Sequence, residues 1–167
     1  LAFGKELYAA YAKAYTTTEM TPEEIHELGL KEVARLNAEM EKVKNQVGFK
    51  GTLLAFFEEV RNKKELKPFT KPEQVIANFE SIYERIKPNV NRLFLLQPKT
   101  KFEIRRTEAF REKTGSAEYN QGLADGSRPG IFYVPIPDVK NYNVYGDEDL
   151  FLHEAIPGHH FQISLQQ

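Results

Sequence analysis

The sequence predicts an α+β fold that is predominantly α-helical. Three observations support this class. Residues 1–98 carry apolar side chains three and four positions apart, as amphipathic helices do. Two short stretches after residue 98 have strand character, and a helical pattern returns from about residue 148. We therefore predict one domain over residues 1–167, with a helical scaffold over 1–98 and, over 99–167, a small β-sheet followed by a helix that carries the site.

The composition excludes several functional classes. Hydrophobic residues make up 41% and charged residues 28%, as in ordinary globular proteins. The net charge of -1 gives no electrostatic reason to expect nucleic acid or an anionic membrane as partner. No apolar run approaches the roughly 18 residues that a membrane-spanning helix needs. There is no cysteine, which excludes disulfides and thiolate ligands.

The first two helices are predicted from periodicity and capping. Apolar spacing indicates a helix over residues 3–15. Thr21-Pro22-Glu23-Glu24 then has the features of a helix start, with Thr as N-cap, Pro at the first helical position and Glu three residues after the cap. This helix should run to about Gln46 and stop at Gly48. Its residues expected to be buried are Ile25, Leu28, Val33, Leu36, Met40 and Val43.

Two further helices complete the predicted scaffold. The inward residues of the shorter one should be Leu53, Leu54, Phe56, Phe57 and Val60. Thr70-Lys71-Pro72-Glu73 opens the other, which should be kinked or ended by Pro88. The face expected to be buried consists of Val75, Ile76, Phe79, Ile82, Tyr83 and Ile86, and it continues with Val90, Leu93, Phe94 and Leu96.

The predicted sheet comes from two stretches. Residues 101–106 alternate with period two, and residues 131–136 form a second strand. Pro135 lacks an N–H, which favours an edge position or a strand that ends there. Residues 115–130 are rich in glycine and are predicted to be loop. Asp147-Glu148-Asp149 can cap a final helix from about Glu148.

That last helix leads into Leu152–Gln162, which holds three of the four histidines. In the common zinc hydrolase motif, two histidines lie four apart on a helix and a glutamate follows the first. His153-Glu154 matches that start, but position 157 is proline. In an ideal helix His159 would point away from His153, and His160 would lie about 10 Å further along the axis.

Pro157-Gly158 offers a way to bring the histidines together. Proline cannot donate to the carbonyl of His153, and glycine permits backbone angles closed to other residues. A local bulge of two residues would carry His159 into the position of the second ligand, and such bulges concentrate at functional sites. We therefore predict a Zn²⁺ site. The alternative is that Pro-Gly ends a helix whose histidines are structural.

The sequence resembles a bacterial family of unknown function that is grouped with zincin-type metallopeptidases. The resemblance rests on the motif His153–His160, on Asp125–Val134 before it, and on the helix start at Thr21. The resemblance spans the chain and implies His153 as zinc ligand, Glu154 as general base, and His159 as second ligand. His160 is the alternative ligand or a group that contacts substrate.

The same resemblance implies a third ligand, a glutamate on a helix downstream of this sequence. Members of the family are longer, the chain starts at Leu1 rather than Met, and a helix is predicted to be still running at Gln167. We therefore expect a piece of a larger metallopeptidase-like domain that is inactive on its own.

Other residues are candidates for the same cleft. In zincins an edge strand binds the substrate backbone, and Ile131–Val134 is the candidate here, with an ordinary core strand as the alternative. Tyr133 could donate a hydrogen bond to a tetrahedral intermediate, although packing is its commoner role. Arg128 could bind a substrate carboxylate or form a loop salt bridge. Asp147–Asp149 could supply a carboxylate ligand, although helix capping explains them more simply, and His26 is expected at the surface.

The predicted function is zinc-dependent hydrolysis of a peptide bond, with Glu154 activating the water of the metal. Peptides or small amides are the expected substrates. The alternatives are a metal-dependent hydrolase of a non-peptide amide or ester, and a non-enzymatic helical module. A signal peptide before residue 1 would place the protein in the periplasm or outside the cell.

Overall fold

The computed structural model describes residues 3–167 and has the predicted α+β, mostly helical architecture. Leu1, which contributed to the expectation of a longer protein, lies outside these residues. The chain forms two compact units that divide after Val60. The helices are α1 (Gly4–Thr16), α2 (Pro22–Gln46), α3 (Leu53–Asn62), α4 (Pro72–Leu93), α5 (Asp147–Glu154) and α6 (His159–Gln166), and the strands are β1 (Phe102–Arg106), β2 (Glu118–Asn120) and β3 (Gly130–Val134).

The predicted capping of α2 in the first unit is confirmed. The Thr21 hydroxyl accepts from the backbone N–H of Glu24 at 3.2 Å, and the Glu24 carboxylate accepts from the N–H of Thr21 at 2.8 Å. This reciprocal pair satisfies two of the donors left open at a helix N-terminus. Gly48 follows the helix with φ +80°, which suits glycine at a helix stop.

The predicted burial of the apolar face of α2 is wrong. The side chains concerned are 43–58% exposed, namely Leu28, Val33, Leu36, Met40 and Val43, and Leu54 on α3 is 70% exposed. A helix face is buried only where a second layer of structure covers it. Within residues 3–60 no element covers this face of α2. Helix α1 also leaves apolar residues of its own exposed, such as Leu7 and Tyr11.

The second unit contains a three-stranded sheet in the order β1-β3-β2. β3 runs parallel to β1 and antiparallel to β2. The prediction that Ile131–Val134 is an edge strand is therefore wrong, because β2 forms within the segment predicted to be loop and pairs with its free side. Pro135 follows the last residue of β3, so its missing N–H removes no hydrogen bond from the sheet.

The core of the second unit lies between α4, one face of the sheet and α5. Phe79, Phe132 and Phe151 are fully buried there, and the Phe79 and Phe132 rings meet edge to face at 5.2 Å between centroids. Aromatic pairs in this geometry stabilise beyond the area that they bury. This cluster joins α4, β3 and α5, and so fixes α5 against the sheet.

Helix α4 continues through Pro88 to Leu93, so the proline does not end it. Proline removes one helical hydrogen bond, but Ile86 and Val90 on either side are buried in the core, and their packing holds the segment in place. Beyond Val90 the predicted burial of the apolar face is wrong. Leu93 and Leu96 are 77% and 73% exposed.

No helix among residues 3–167 combines the length and the hydropathy that crossing a bilayer requires.

Candidate metal centre

Helix α5 is held at its start by a buried carboxylate. Asp147 accepts hydrogen bonds from Asn78 Nδ2 and from the Tyr142 hydroxyl, each at 2.7 Å. Burial nevertheless raises the pKa of Asp147 to about 6, because these two hydrogen bonds only partly offset the loss of solvation. The first turn of α5 is thereby tied to α4.

The end of α5 carries the first half of the site. Phe151 and Ala155 face the core, with no side-chain exposure, and this orientation turns His153 outward. The Glu154 side chain lies between the core-facing side and the outward side of α5, and it is 14% exposed. The helix ends here, so two potential ligands occupy its last two positions.

The chain breaks between His153 and His159 more completely than predicted. The sequence suggested one helix with a bulge of two residues, whereas α5 ends at Glu154 and a separate helix, α6, begins at His159. The Ile156–Pro157 peptide bond is cis. Pro157 has no N–H for the carbonyl of His153, as expected from the sequence, and the chain turns at this point.

A glycine is required at position 158 because there is no room for a side chain. An ideal Cβ at this position would lie 1.8 Å from the carbonyl oxygen of His153 and 2.4 Å from that of Leu152. Its φ of -75° is open to any residue, so the left-handed freedom of glycine is not the reason for its presence. Only a glycine lets α6 start directly against the end of α5.

This arrangement brings His153, Glu154 and His159 together. One potential ligand atom from each lies within 4.8 Å of the others. The two imidazole rings are perpendicular, with centroids 4.8 Å apart, and His159 Nε2 is 3.9 Å from the Glu154 carboxylate. Among residues 3–167, no other group of three or more histidines and carboxylates is this close.

His160 points elsewhere and is not part of this cluster. It is 2% exposed, its ring lies 4.8 Å from that of Phe102, and its Nδ1 is 2.9 Å from the Tyr119 hydroxyl. Burial lowers the pKa of His160 to about 4. The structure therefore favours His159 over His160 as the partner of His153, and His160 serves as an anchor for α6 together with the buried Phe161.

Tyr119 positions α6 through His160, and sequence reasoning missed it because β2 has three residues and lies in a glycine-rich segment. Tyr119 pairs with Phe132 across the sheet and shares its face, which directs the hydroxyl toward α6. Gly130 makes room for the contact, since a Cβ there would lie 2.2 Å from the Tyr119 hydroxyl and 2.7 Å from His160 Nδ1. A glycine at the start of a strand was the one signal available.

The other predicted site residues are not brought to the cluster. Tyr133 follows Phe132 in β3 and so faces the opposite side of the sheet, where the Arg111 guanidinium lies 4.8 Å from its ring centroid. Arg128 donates to the carbonyl of Gln121 at 3.3 Å, and no hydrogen bond or ion pair joins it to the cluster.

Two of the three carboxylates at the start of α5 are engaged elsewhere. Asp147 bonds Asn78 and Tyr142, and Glu148 forms a bidentate pair with Arg85 at 2.9 Å. The three residues occupy the first turn of α5, where negative charge is favourable, but the N-cap residue is Gly146 and no side-chain capping hydrogen bond forms there.

These features define a mostly helical α+β module with a candidate His-Glu-His metal centre at a helix break. The chain belongs to the family described as bacterial protein of unknown function (DUF885), whose model matches residues 2–167. The predicted membership in a bacterial family of unknown function is thus confirmed.

A solved structure supports the fold. The chain is similar to a "putative lipoprotein" from Colwellia psychrerythraea, with a TM-score of 0.88 and 26% sequence identity over 98% of this chain. The chain covers 29% of the length of that protein. No curated protein matches the sequence.

Proposed function

We propose that this chain carries the metal-binding and basic groups of a zinc-dependent hydrolase that cleaves peptide bonds. The observation that carries the proposal is the convergence of His153, Glu154 and His159, which a helix break brings within 4.8 Å of one another. Two imidazoles are zinc ligands at many catalytic sites, and a carboxylate beside them is suited to act as the base toward the attacking water. Structural histidines would not require this convergence.

The donor set fits zinc with a small adjustment. Tetrahedral ligands at about 2.0–2.1 Å from zinc lie about 3.4 Å apart, so the two imidazole nitrogens need to approach by at most roughly 1.4 Å. His153 is exposed and the His159 side chain is 44% exposed, so solvent on one side leaves room for this adjustment. The resemblance to a family grouped with zincin-type metallopeptidases implies a further glutamate ligand on a downstream helix.

When bound, zinc would polarise the substrate carbonyl and lower the pKa of a water molecule. The location of Glu154 next to the two histidines, with its side chain only 14% exposed, supports its role as the base. Its carboxylate would take a proton from the attacking water and deliver it to the amide nitrogen as the C–N bond breaks. Water thus supplies one oxygen of the new carboxylate and the two protons that the amide nitrogen gains as it becomes an ammonium group.

Two other functions remain alternatives. The same donors would serve hydrolysis of a non-peptide amide or an ester, and a panel of peptide, amide and ester substrates separates these reactions. A non-enzymatic module with structural histidines is the second alternative, and it predicts no stoichiometric zinc.

The test is Glu154→Gln in the full-length protein, since glutamine keeps the shape of the side chain and removes the basic carboxylate. Cleavage of a peptide mixture is followed by mass spectrometry, and zinc content is measured in parallel. We expect zinc to be retained and turnover to fall by at least about 100-fold. Glu148→Gln on the same helix, whose carboxylate faces Arg85, is the matched control and should retain activity.

Unchanged turnover in Glu154→Gln would exclude Glu154 as the base. Loss of zinc together with turnover would instead assign Glu154 as a ligand.

We also propose an extracytoplasmic location. The support is the similarity to a structure described as a "putative lipoprotein", since lipoproteins are attached to membranes outside the cytoplasm. Fractionation of cells that express the full-length protein tests this location.

A further inference from the structure

The second unit contains a cavity of about 330 Å³ that the proposed metal centre does not use. It lies between the C-terminal half of α4, the segment that leads into β1, and the start of α6. None of His153, Glu154 and His159 lines it. This volume is at the lower end of the range for small-molecule sites, about 300–1,000 Å³.

The wall of the cavity is aromatic and preformed. Tyr83, Phe102 and Phe161 line it, together with the buried His160. The Phe102 and His160 rings lie 4.8 Å apart, and Nδ1 of His160 is held by Tyr119. Nε2 of His160 makes no hydrogen bond to any residue of the described chain. This aromatic part of the wall suits a flat or branched apolar group.

The charged residues that line the cavity are both cationic. They are Lys87 and Lys101, and no carboxylate lines it. The Lys87 ammonium lies 5.4 Å from the Tyr83 ring centroid, which restrains it beside the aromatic wall. Within residues 3–167 neither lysine is paired with a carboxylate. The cavity therefore combines an apolar surface with two cations that have no anionic partner.

We propose that this cavity binds a small carboxylate with an aromatic or branched aliphatic body. The apolar part would pack against Phe102 and Phe161, and the carboxylate would face Lys87 and Lys101. Thr100, which is 8% exposed, also lines the cavity and offers a hydroxyl donor. The inference is independent of the proposed hydrolase, because it uses none of the three residues of the metal centre.

The test uses N-acetylphenylalanine as probe and full-length protein that carries His153→Ala. That substitution removes a proposed metal ligand, so the carboxylate has no zinc to bind. Isothermal titration calorimetry should show saturable binding of one equivalent, and the uncharged N-acetylphenylalaninamide should bind at least about fivefold more weakly. Equal affinity of acid and amide would overturn the proposal, as would the absence of saturable binding up to about 10 mM.

Lys101→Met in the same background identifies the site, because methionine keeps the apolar length of the side chain and removes the charge. It should weaken binding of the acid by about three- to tenfold and leave binding of the amide unchanged, since exposed charges contribute modestly. Lys99→Met, two residues away and outside the cavity lining, is the matched control. Equal effects of the two substitutions would contradict this location of the site.

Discussion

Gly158 lies directly against the carbonyl oxygen of His153, where a Cβ would approach to 1.8 Å. This contact joins the last turn of α5 to the first turn of α6. It allows the His153 and His159 rings to meet at 4.8 Å although they are six residues apart in the chain. The geometry of the proposed metal centre therefore depends on the absence of one methyl group.

Gly158→Ala should weaken zinc binding by at least about tenfold, because the added methyl group forces α6 away from α5. Overpacking of this kind also costs about 1–3 kcal/mol of unfolding free energy. Zinc titration and urea unfolding measure the two effects.

Gly29→Ala is the control for this substitution. Position 29 lies within α2, and a Cβ added there would meet no atom within 4 Å, so alanine should stabilise by about 0.5–1 kcal/mol and leave zinc affinity unchanged. Wild-type zinc affinity in Gly158→Ala would show that the close contact does not set the site.

Tyr119→Phe should lower the unfolding free energy by about 1–2 kcal/mol, because it leaves Nδ1 of the buried His160 without its 2.9 Å partner. Ser164 is the other hydroxyl nearby, at 3.4 Å, which is too long to replace the bond fully. Urea unfolding checks the value. Tyr145→Phe, at a side chain that is 72% exposed, should have no effect, and equal stability of the two variants would contradict the anchoring role of Tyr119.

The pH dependence of stability should contain a contribution from Asp147. Burial raises its pKa from the usual 3.8 to about 6, so folding favours the protonated carboxyl. The stabilisation is fully present below about pH 4 and is lost as the pH rises through about 6. The full loss is about 3 kcal/mol, from about 2.2 pKa units at 1.36 kcal/mol each, and about 2 kcal/mol of it falls between pH 4 and pH 7.

The measurement for Asp147 is the unfolding free energy of wild type and of Asp147→Asn between pH 4 and pH 7. Carboxylates with lowered pKa, such as Glu112 beside Arg106, act in the opposite direction in both proteins and cancel in the difference. Wild type should lose about 2 kcal/mol relative to Asp147→Asn across this interval. A difference that does not change with pH would refute the assignment.

Local signals predicted the first four helices and the cap of α2 well. The Thr21–Glu24 capping box and the stop at Gly48 depend on contacts between near neighbours, so the sequence specifies them directly. Burial was harder to predict, since the apolar face of α2 matches a buried helix but no other element of its own unit covers it.

The candidate site was predictable in its residues and not in its geometry. His153, Glu154 and His159 followed from the motif, and a local opening of the helix followed from Pro157-Gly158, although its division into two helices did not. The separate helix α6, the steric role of Gly158 and the pairing of Tyr119 with His160 depend on long-range packing. The same holds for β3, which became central because the short strand β2, whose sequence has no strong strand signal, pairs with it.

The most direct test of the central claim is the zinc stoichiometry of the full-length protein with His153, His159 or His160 replaced by alanine, one at a time. Elemental analysis after dialysis should find about one zinc per wild-type chain and little zinc in His153→Ala and His159→Ala. His160→Ala should retain zinc, provided that circular dichroism shows this variant to be folded. Loss of zinc in folded His160→Ala with retention in His159→Ala would contradict the arrangement, as would a wild type without zinc.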